Sequence, residues 1–366
     1  MTIGIDARLW GQTGVGRYIR NLCINLQKID NKNSYVLFIN NKDKKEVELV
    51  IKNEKWKIIV SNSKWHSFDE QLKFPKVLNK ENLDLMHFPY FSVPIFYKKP
   101  FVVTIHDLIL HHFVTGNSST LPIWLYGFKM LAYRFVVNYS SRKARKIIAV
   151  SNATKNEIID HLIVRKNNVE IIYEAVDDLR NYPEEKIEYN NYFLFVGNVY
   201  PHKNVDELLK AFKKFIDNNN AKLIFVGKND SFYKKLKKQT RKYDEKIIFL
   251  ENVDDKKLCS LYKNAICLIR PSLMEGFSLP PLEALENKCL VLASDIDVHK
   301  EILEDGAIYF DPKKWESLLD KMNFVYRIDK KQRDNLISKG LSISKKFSWE
   351  ETARKTLKVY ESSLGI

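Results

Sequence analysis

Short uninterrupted apolar runs recur along the chain, each followed by a polar turn and often by a longer stretch with helical spacing. The first series is "IGIDA" (3–7), "YVLFIN" (35–40), "KIIVSN" (57–62), "LDLMHF" (83–88), "FVVTIHD" (101–107), "KIIAVS" (146–151) and "VEIIYEAV" (169–176). The second is "YFLFVGN" (192–198), "KLIFVG" (222–227), "KIIFLE" (246–251), "AICLIRP" (265–271), "CLVLASD" (289–295) and "AIYFD" (307–311). Such runs, rich in β-branched and aromatic residues and lacking alternation, predict strands buried on both faces. Helical patterns such as "VDELLKAFKKFIDNN" and "PPLEALENK" lie between them. Strand, helix, strand, repeated, predicts an α/β fold of parallel sheets with helices on both faces. The polar break "DDLRNYPEEKIEYNN" (177–191), with Pro183, separates the two series. It predicts two doubly wound, Rossmann-like domains, 1–178 and 190–347. The last helical stretch (348–364) either caps the second domain or crosses back to the first.

Doubly wound sheets bind ligands beyond the carboxyl ends of their strands, and two such domains facing each other make a central cleft. Polar residues at strand ends are therefore the candidates. After the first strand, Gly14 and Gly16 precede a helix, which is either an anion-binding turn or a plain tight turn. His106 closes "VVTIH" and is either a proton-moving or hydroxyl-binding group or a structural histidine. His87 has a similar position with less support, and His111 and His112 show no metal-ligand spacing. In "FLFVGNVYPHKNVDELL" Lys203 adds a positive charge to a helix start, which suits a diphosphate. The alternative is Asn204 as the N-cap with Lys203 merely exposed. Arg270 ends another strand. "PSLMEGFSLPPLEALE" places Glu275 in the next loop, and Pro280 and Pro281 mark a helix start with Glu283 in its first turn. A carboxylate accepts two hydrogen bonds at once, as vicinal sugar hydroxyls require, which leaves the phosphates to Lys203 and Arg270.

Composition narrows the picture. The 366 residues are 45% hydrophobic, enough for two cores, and the net charge of +15 attracts polyanions. Most lysines alternate with Glu, Asp and Asn, so solvated faces are the simpler reading, as for "FYKKLKKQTRKY" (232–243). No aromatic-basic recognition module points to nucleic acid. The four cysteines lack CxxC spacing and read as reduced core residues. The opening "MTIGIDARLW" does not resemble a signal peptide, and no apolar run is long enough to span a membrane. A cytoplasmic location follows as an expectation. "LPIWLYGFKMLAYRFVVNYSSRKARK" (121–146) mixes aromatics with a basic end, Arg142, Lys143, Arg145 and Lys146. It is either a peripheral contact for an anionic membrane or a core-facing helix with a solvated end.

Several segments together carry a resemblance: "GIDARLWGQTGVGRY", "VVTIHDL", "IIAVSNATKNEII", "FVGNVYPHKNVDELLKAF", "PSLMEGFSLPPLEALE" and "EDGAIYFDP". In these the chain resembles the retaining glycosyltransferases of family four, which have the two-domain GT-B fold. It is most similar to mannosyl- and rhamnosyl-transferring members of surface polysaccharide pathways. The resemblance implies an acceptor domain first and a nucleotide-sugar donor domain second. It implies that Glu283 binds the donor ribose, that Glu275 faces the donor sugar and that Lys203 holds the diphosphate. Asn198, Arg270, Gly276, Phe277 and Ser278 join the donor site, with the Gly14–Gly16 loop closing over it. The backbone at Asn252 and Val253 meets the base, and His106 contacts the transferred hexose. His106, Glu275 and Lys203 are the catalytic candidates of a hexosyltransferase without metal or cofactor. GDP-mannose is the first donor, then UDP-hexoses and dTDP-rhamnose, with a glycan or lipid-linked glycan as acceptor. Acceptor contacts are expected around 62–75 and 108–122. The chain departs from the family where an arginine often follows the strand glycine, here Asn198, and where one precedes the lysine, here His202. A nucleotide-sugar epimerase of the same fold and a basic non-enzymatic binding protein are the alternatives.

Overall fold

The computed structural model describes residues 1–63, 65, 67–113, 123–177 and 182–365, and the side chains of all of these but 123–126. Part of the second expected acceptor loop (114–122) and part of the polar break (178–181) lie outside the described residues. The chain divides into two units. The first holds Met1–Leu108, the described residues from 123 to Glu174, and the chain from Ser348 onward. The second holds Ala175–Phe347 and the short helix Ile109–His112.

The first unit is built on seven parallel strands: β1 (Thr2–Asp6), β2 (Ser34–Ile39), β3 (Trp56–Val60), β4 (Leu85–Phe88), β5 (Phe101–Ile105), β6 (Lys146–Ala149) and β7 (Val169–Ile171). Their order is β3-β2-β1-β4-β5-β6-β7, with Ile5 paired to Leu37 on one side and to His87 on the other. The second unit has six: β8 (Tyr192–Val196), β9 (Lys222–Gly227), β10 (Ile247–Glu251), β11 (Cys267–Arg270), β12 (Val291–Ser294) and β13 (Ile308–Phe310). Their order is β10-β9-β8-β11-β12-β13, again all parallel. Each sheet therefore reverses its winding direction once, between β1 and β4 and between β8 and β11. Crevices at such switch points are where ligands bind in doubly wound sheets.

The strands form because their side chains are apolar on both faces and helices cover both. β8 is buried at every position. The helix Val205–Phe215 lays Leu208, Leu209, Phe212 and Phe215 on this sheet, its apolar stripe at helical spacing. Each such side chain contributes about 1.5–3 kcal/mol of burial. Several strands end earlier than their apolar runs: β7 stops at Ile171, and the chain continues through buried Ile172 and Ala175 as a loop.

Two features tie down the first unit. Arg8, just past β1, is fully buried and donates to Asp6 at 2.6 Å and to Glu70 at 2.7 Å, with its guanidinium 3.7 Å from the centre of the Phe74 ring. This anchors the helix Phe68–Leu72, inside the first expected acceptor segment. The helix Trp349–Leu364 packs on the helix Gly14–Ile29 and buries Trp349, Ala353 and Tyr360. Tyr360 Oη lies 2.7 Å from His87 Nδ1, and His87 Nε2 lies 2.8 Å from Thr104 Oγ1. His87 thus spends both ring nitrogens inside the unit, as a structural histidine does.

Candidate active site

In the second unit the loops after β8 and β11 meet at the switch point, bringing together residues about seventy positions apart. Lys203 Nζ donates to Glu275 Oε2 at 2.7 Å. Arg270 donates to Glu275 Oε1 through Nε at 2.7 Å and through Nη2 at 2.6 Å, and Ser272 Oγ donates to the same oxygen at 2.6 Å. Arg270 also donates through Nη1 to the Val196 carbonyl at 2.8 Å and through Nε to Ser278 Oγ at 3.2 Å. All three charged side chains are buried. Burial alone would raise the Glu275 carboxyl, but the charges of Arg270 and then Lys203 outweigh it and hold it well below the usual carboxylate range. Two cations against one carboxylate leave one net positive charge in a site shielded from water. Lys203 is thus buried and paired. Asn204 does stand at the N-cap position, at φ +56°, but its side chain donates to the Pro312 carbonyl at 2.7 Å.

The neighbouring residues shape this cluster. Gly197 sits at φ +129°, a conformation that favours glycine, and a Cβ there would crowd Arg270 Nη1 at 3.1 Å. The carboxamide oxygen of Asn198 is buried without a partner among the described residues. His202 does not replace the missing arginine charge: burial and then the Lys203 charge push it down to about 3, leaving it neutral. Ser278 enters the helix Leu279–Glu286 at φ +74°, and Phe277 is buried edge-on to Phe347. Glu283 is the fifth residue of that helix, one residue further in than the proline signal suggests, because the helix starts before the prolines. It is buried and accepts from Tyr262 Oη at 2.8 Å. Gly276 is buried, and Asn252, exposed at φ +53°, and Val253 follow β10.

In the first unit His106 is buried at the end of β5, with Nδ1 2.7 Å from Glu174 Oε1 and Nε2 2.9 Å from the Pro89 carbonyl. Thr154 Oγ1 donates to the His106 carbonyl at 3.3 Å, and Tyr18 meets the ring edge-on. Gly14 and Gly16 lie within the first turn of the helix Gly14–Ile29 and do not precede it. A Cβ at Gly16 would strike the carbonyls of Leu9 and Trp10, so its need is a close backbone approach. A Cβ at Gly14 would meet nothing.

Residues 12–180 match the profile described as Glycosyltransferase Family 4, and residues 177–342 match that of the group 1 glycosyl transferases. The chain belongs to these glycosyltransferases. The O-antigen chain mannosyltransferase RfbU of Salmonella typhimurium is 27% identical over 297 residues, covering 77% of this chain and 80% of that one. Among solved structures, sucrose-phosphate synthase of Thermosynechococcus elongatus superposes with a TM-score of 0.78 at 15% identity, covering 99% of this chain and 98% of that chain. Anabaena HepE, solved with UDP and glucose, does so with a TM-score of 0.75 at 16% identity, covering 99% of this chain and all of that chain. These structures share the GT-B fold with the glycosyltransferase described here.

Of the residues picked out in the sequence of this glycosyltransferase, the structure brings Lys203, Arg270, Glu275 and Ser278 into one hydrogen-bonded cluster. Glu283 accepts from Tyr262, and His106 belongs to the other unit. Glu174, Ser272, Tyr262 and His299 were not anticipated. His299 is buried with Nδ1 3.0 Å from the Ser294 carbonyl, and burial lowers it to about 4. Glu174 gave no strand-end signal in the sequence, where it lies inside the run read as a strand; the structure ends that strand at Ile171 and places Glu174 in the loop after it.

Proposed function

We propose that this glycosyltransferase moves mannose from GDP-mannose to a glycan or lipid-linked glycan acceptor, with retention of configuration and without a metal ion or other cofactor. The observation that carries the proposal is the buried Lys203–Glu275–Arg270 cluster at the β8/β11 switch point. As the donor C1–O bond breaks, negative charge grows on the leaving diphosphate. Lys203 and Arg270 supply the fixed positive charge that stabilises it, in a site where water does not screen it. The acceptor hydroxyl enters on the face the leaving group vacates and gives its proton to a phosphate oxygen. Glu283 holds the ribose hydroxyls, and the backbone at Asn252 and Val253 meets the base. Mannose is favoured because the relative RfbU is named a mannosyltransferase.

The test is a thermal-shift and calorimetry panel of GDP, UDP, dTDP and their sugar conjugates in chelator, on wild type and Glu283→Ala. GDP and GDP-mannose stabilise the wild type and lose most of that effect in the variant. Stabilisation by UDP or dTDP compounds alone replaces the donor. Release of free epimerised sugar without acceptor replaces the reaction.

The proposal includes a peripheral membrane contact for a cytoplasmic enzyme. No helix of the described residues is long and apolar enough to cross a membrane. The helix Ile123–Lys143 buries Met130, Tyr133 and Val137 while Phe128, Leu131 and Phe135 are exposed. Phe68, Leu72 and Phe96 are exposed beside it, joined through Ile95, which donates to Gln71 Oε1 and accepts from Tyr139 Oη. Exposed Lys73, Lys98, Lys129, Arg134, Arg142 and Lys143 lie along the same segments. An apolar patch rimmed by cations fits an anionic bilayer surface. The full chain floats with anionic liposomes and not with zwitterionic ones, and Phe128→Ser with Phe135→Ser abolishes flotation. Equal behaviour on both lipids overturns the contact.

A further inference from the structure

Both polar atoms of the His106 side chain face acceptors. Nε2 lies 2.9 Å from the Pro89 carbonyl oxygen, which only accepts, so Nε2 carries a hydrogen. Nδ1 lies 2.7 Å from Glu174 Oε1. That short contact needs one proton between the two atoms, on the ring or on the carboxyl. An ordinary imidazole holds a proton to about pH 6.5 and an ordinary glutamate to about pH 4.3, so the proton belongs to the ring. Removing it would set a lone pair against either a carbonyl or a carboxylate. We infer that Glu174 is a positioning residue that holds His106 as a standing imidazolium with both N–H groups occupied. The ring then serves as a fixed positive edge at the end of β5. It neither takes a proton from the acceptor nor accepts a hydrogen bond from a sugar hydroxyl.

The surroundings agree. Glu174 comes from the loop after β7, Asp107 from the ring's own strand end, His87 from β4, Tyr90 from the loop after β4, and Tyr18 from the helix Gly14–Ile29. Burial works against the charged ring, but the bond to Glu174 and its charge outweigh it, so His106 is raised. Burial pushes His87 down to about 3, so it is neutral near pH 7 and adds no opposing charge. Thr154 fixes the His106 carbonyl, and Tyr18 packs edge-on at 4.9 Å between ring centres.

The charge state rests on the geometry of the first unit alone, whereas its role in transfer rests on the glycosyltransferase reading. Nitrogen-15 NMR of the histidine-labelled full chain tests it, with the His106 signal identified by its loss in His106→Asn. The wild type shows a doubly protonated ring at pH 7.5. In Glu174→Gln the ring loses a proton at a pH at least one unit lower, a tenfold change in proton affinity. The alkaline limb of kcat moves down by the same amount, and Glu174→Asp restores part of it. A neutral tautomer in the wild type at pH 7 overturns the inference, as does a titration unchanged in Glu174→Gln. Should Glu174→Gln not fold, the wild-type signal decides alone. Failure of every nucleotide in the donor panel would remove the proposed donor and leave this result untouched.

Discussion

Glu275→Gln keeps the shape of the side chain and removes its charge. Lys203 and Arg270, 2.7 Å and 2.6 Å from its oxygens, then stand buried without their shared counter-ion. Removing one partner of a buried ion pair costs about 3–5 kcal/mol. Two cations bridged by one carboxylate lie about 6 Å apart, and at an effective dielectric constant of about 20 their repulsion is about 3 kcal/mol. The amide oxygen of glutamine still accepts from Ser272 Oγ, so the hydrogen-bond loss is secondary. Both routes reach a few kcal/mol, and at roughly 2–4 °C per kcal/mol the melting transition falls by about 10 °C. Charge complementarity also predicts a gain. Inorganic pyrophosphate, which supplies the missing negative charge, binds the variant more tightly than the wild type, while turnover falls about a hundredfold because Lys203 and Arg270 lose the carboxylate that positions them. Differential scanning fluorimetry with and without pyrophosphate, followed by calorimetry, measures both. A transition unmoved from wild type, or a weaker pyrophosphate affinity, would refute the charge-balance argument.

The same pair carries a pH signature. Because the folded carboxyl lies below its unfolded value, its stabilisation is full above about pH 4.3 and fades as pH falls towards the folded value. The stability gap between wild type and Glu275→Gln is therefore flat from pH 8 to pH 5 and narrows in stronger acid, read from melts across pH. Gly197→Ala forces a side chain into a left-handed backbone against Arg270, costing about 1–3 kcal/mol and weakening diphosphate binding, read by melting and calorimetry. Arg8→Met leaves the Asp6 and Glu70 carboxylates buried without their cation, a loss of about 3–5 kcal/mol. Burial already raises Glu70, so that deficit shrinks as pH falls towards 5, and a deficit independent of pH would count against the account.

The sheets were legible in the sequence because parallel strands buried on both faces need unbroken apolar runs. Not all of their carboxyl ends were, since burial can outlast the strand: Ile172 and Ala175 stay buried after β7 has ended. The types of residue at the switch point between β8 and β11 were also legible. Their pairing was not, because it depends on β8 lying beside β11, a neighbourhood set by topology. Glu174 was hidden for a related reason: read as part of a strand, it could not be read as the partner of a strand-end histidine. Gly16 shows the opposite limit. Its place in a glycine-rich turn suggested a ligand, while its contacts show the needs of the backbone.

The return of the helix Trp349–Leu364 to the first unit has a consequence for biosynthesis. The hydrogen-bonded contact between His87 and Tyr360 joins residues 273 positions apart. The second unit is synthesised whole before this helix is. Until then the helix Gly14–Ile29 lacks the cover that Trp349 and Tyr360 provide. A nascent or truncated chain ending before residue 348 therefore presents an open apolar surface, the kind that chaperones bind and that aggregates. The enzyme's two halves are not made one after the other: the half begun first is finished after the other, and only a chain translated through the helix Trp349–Leu364 can seal it.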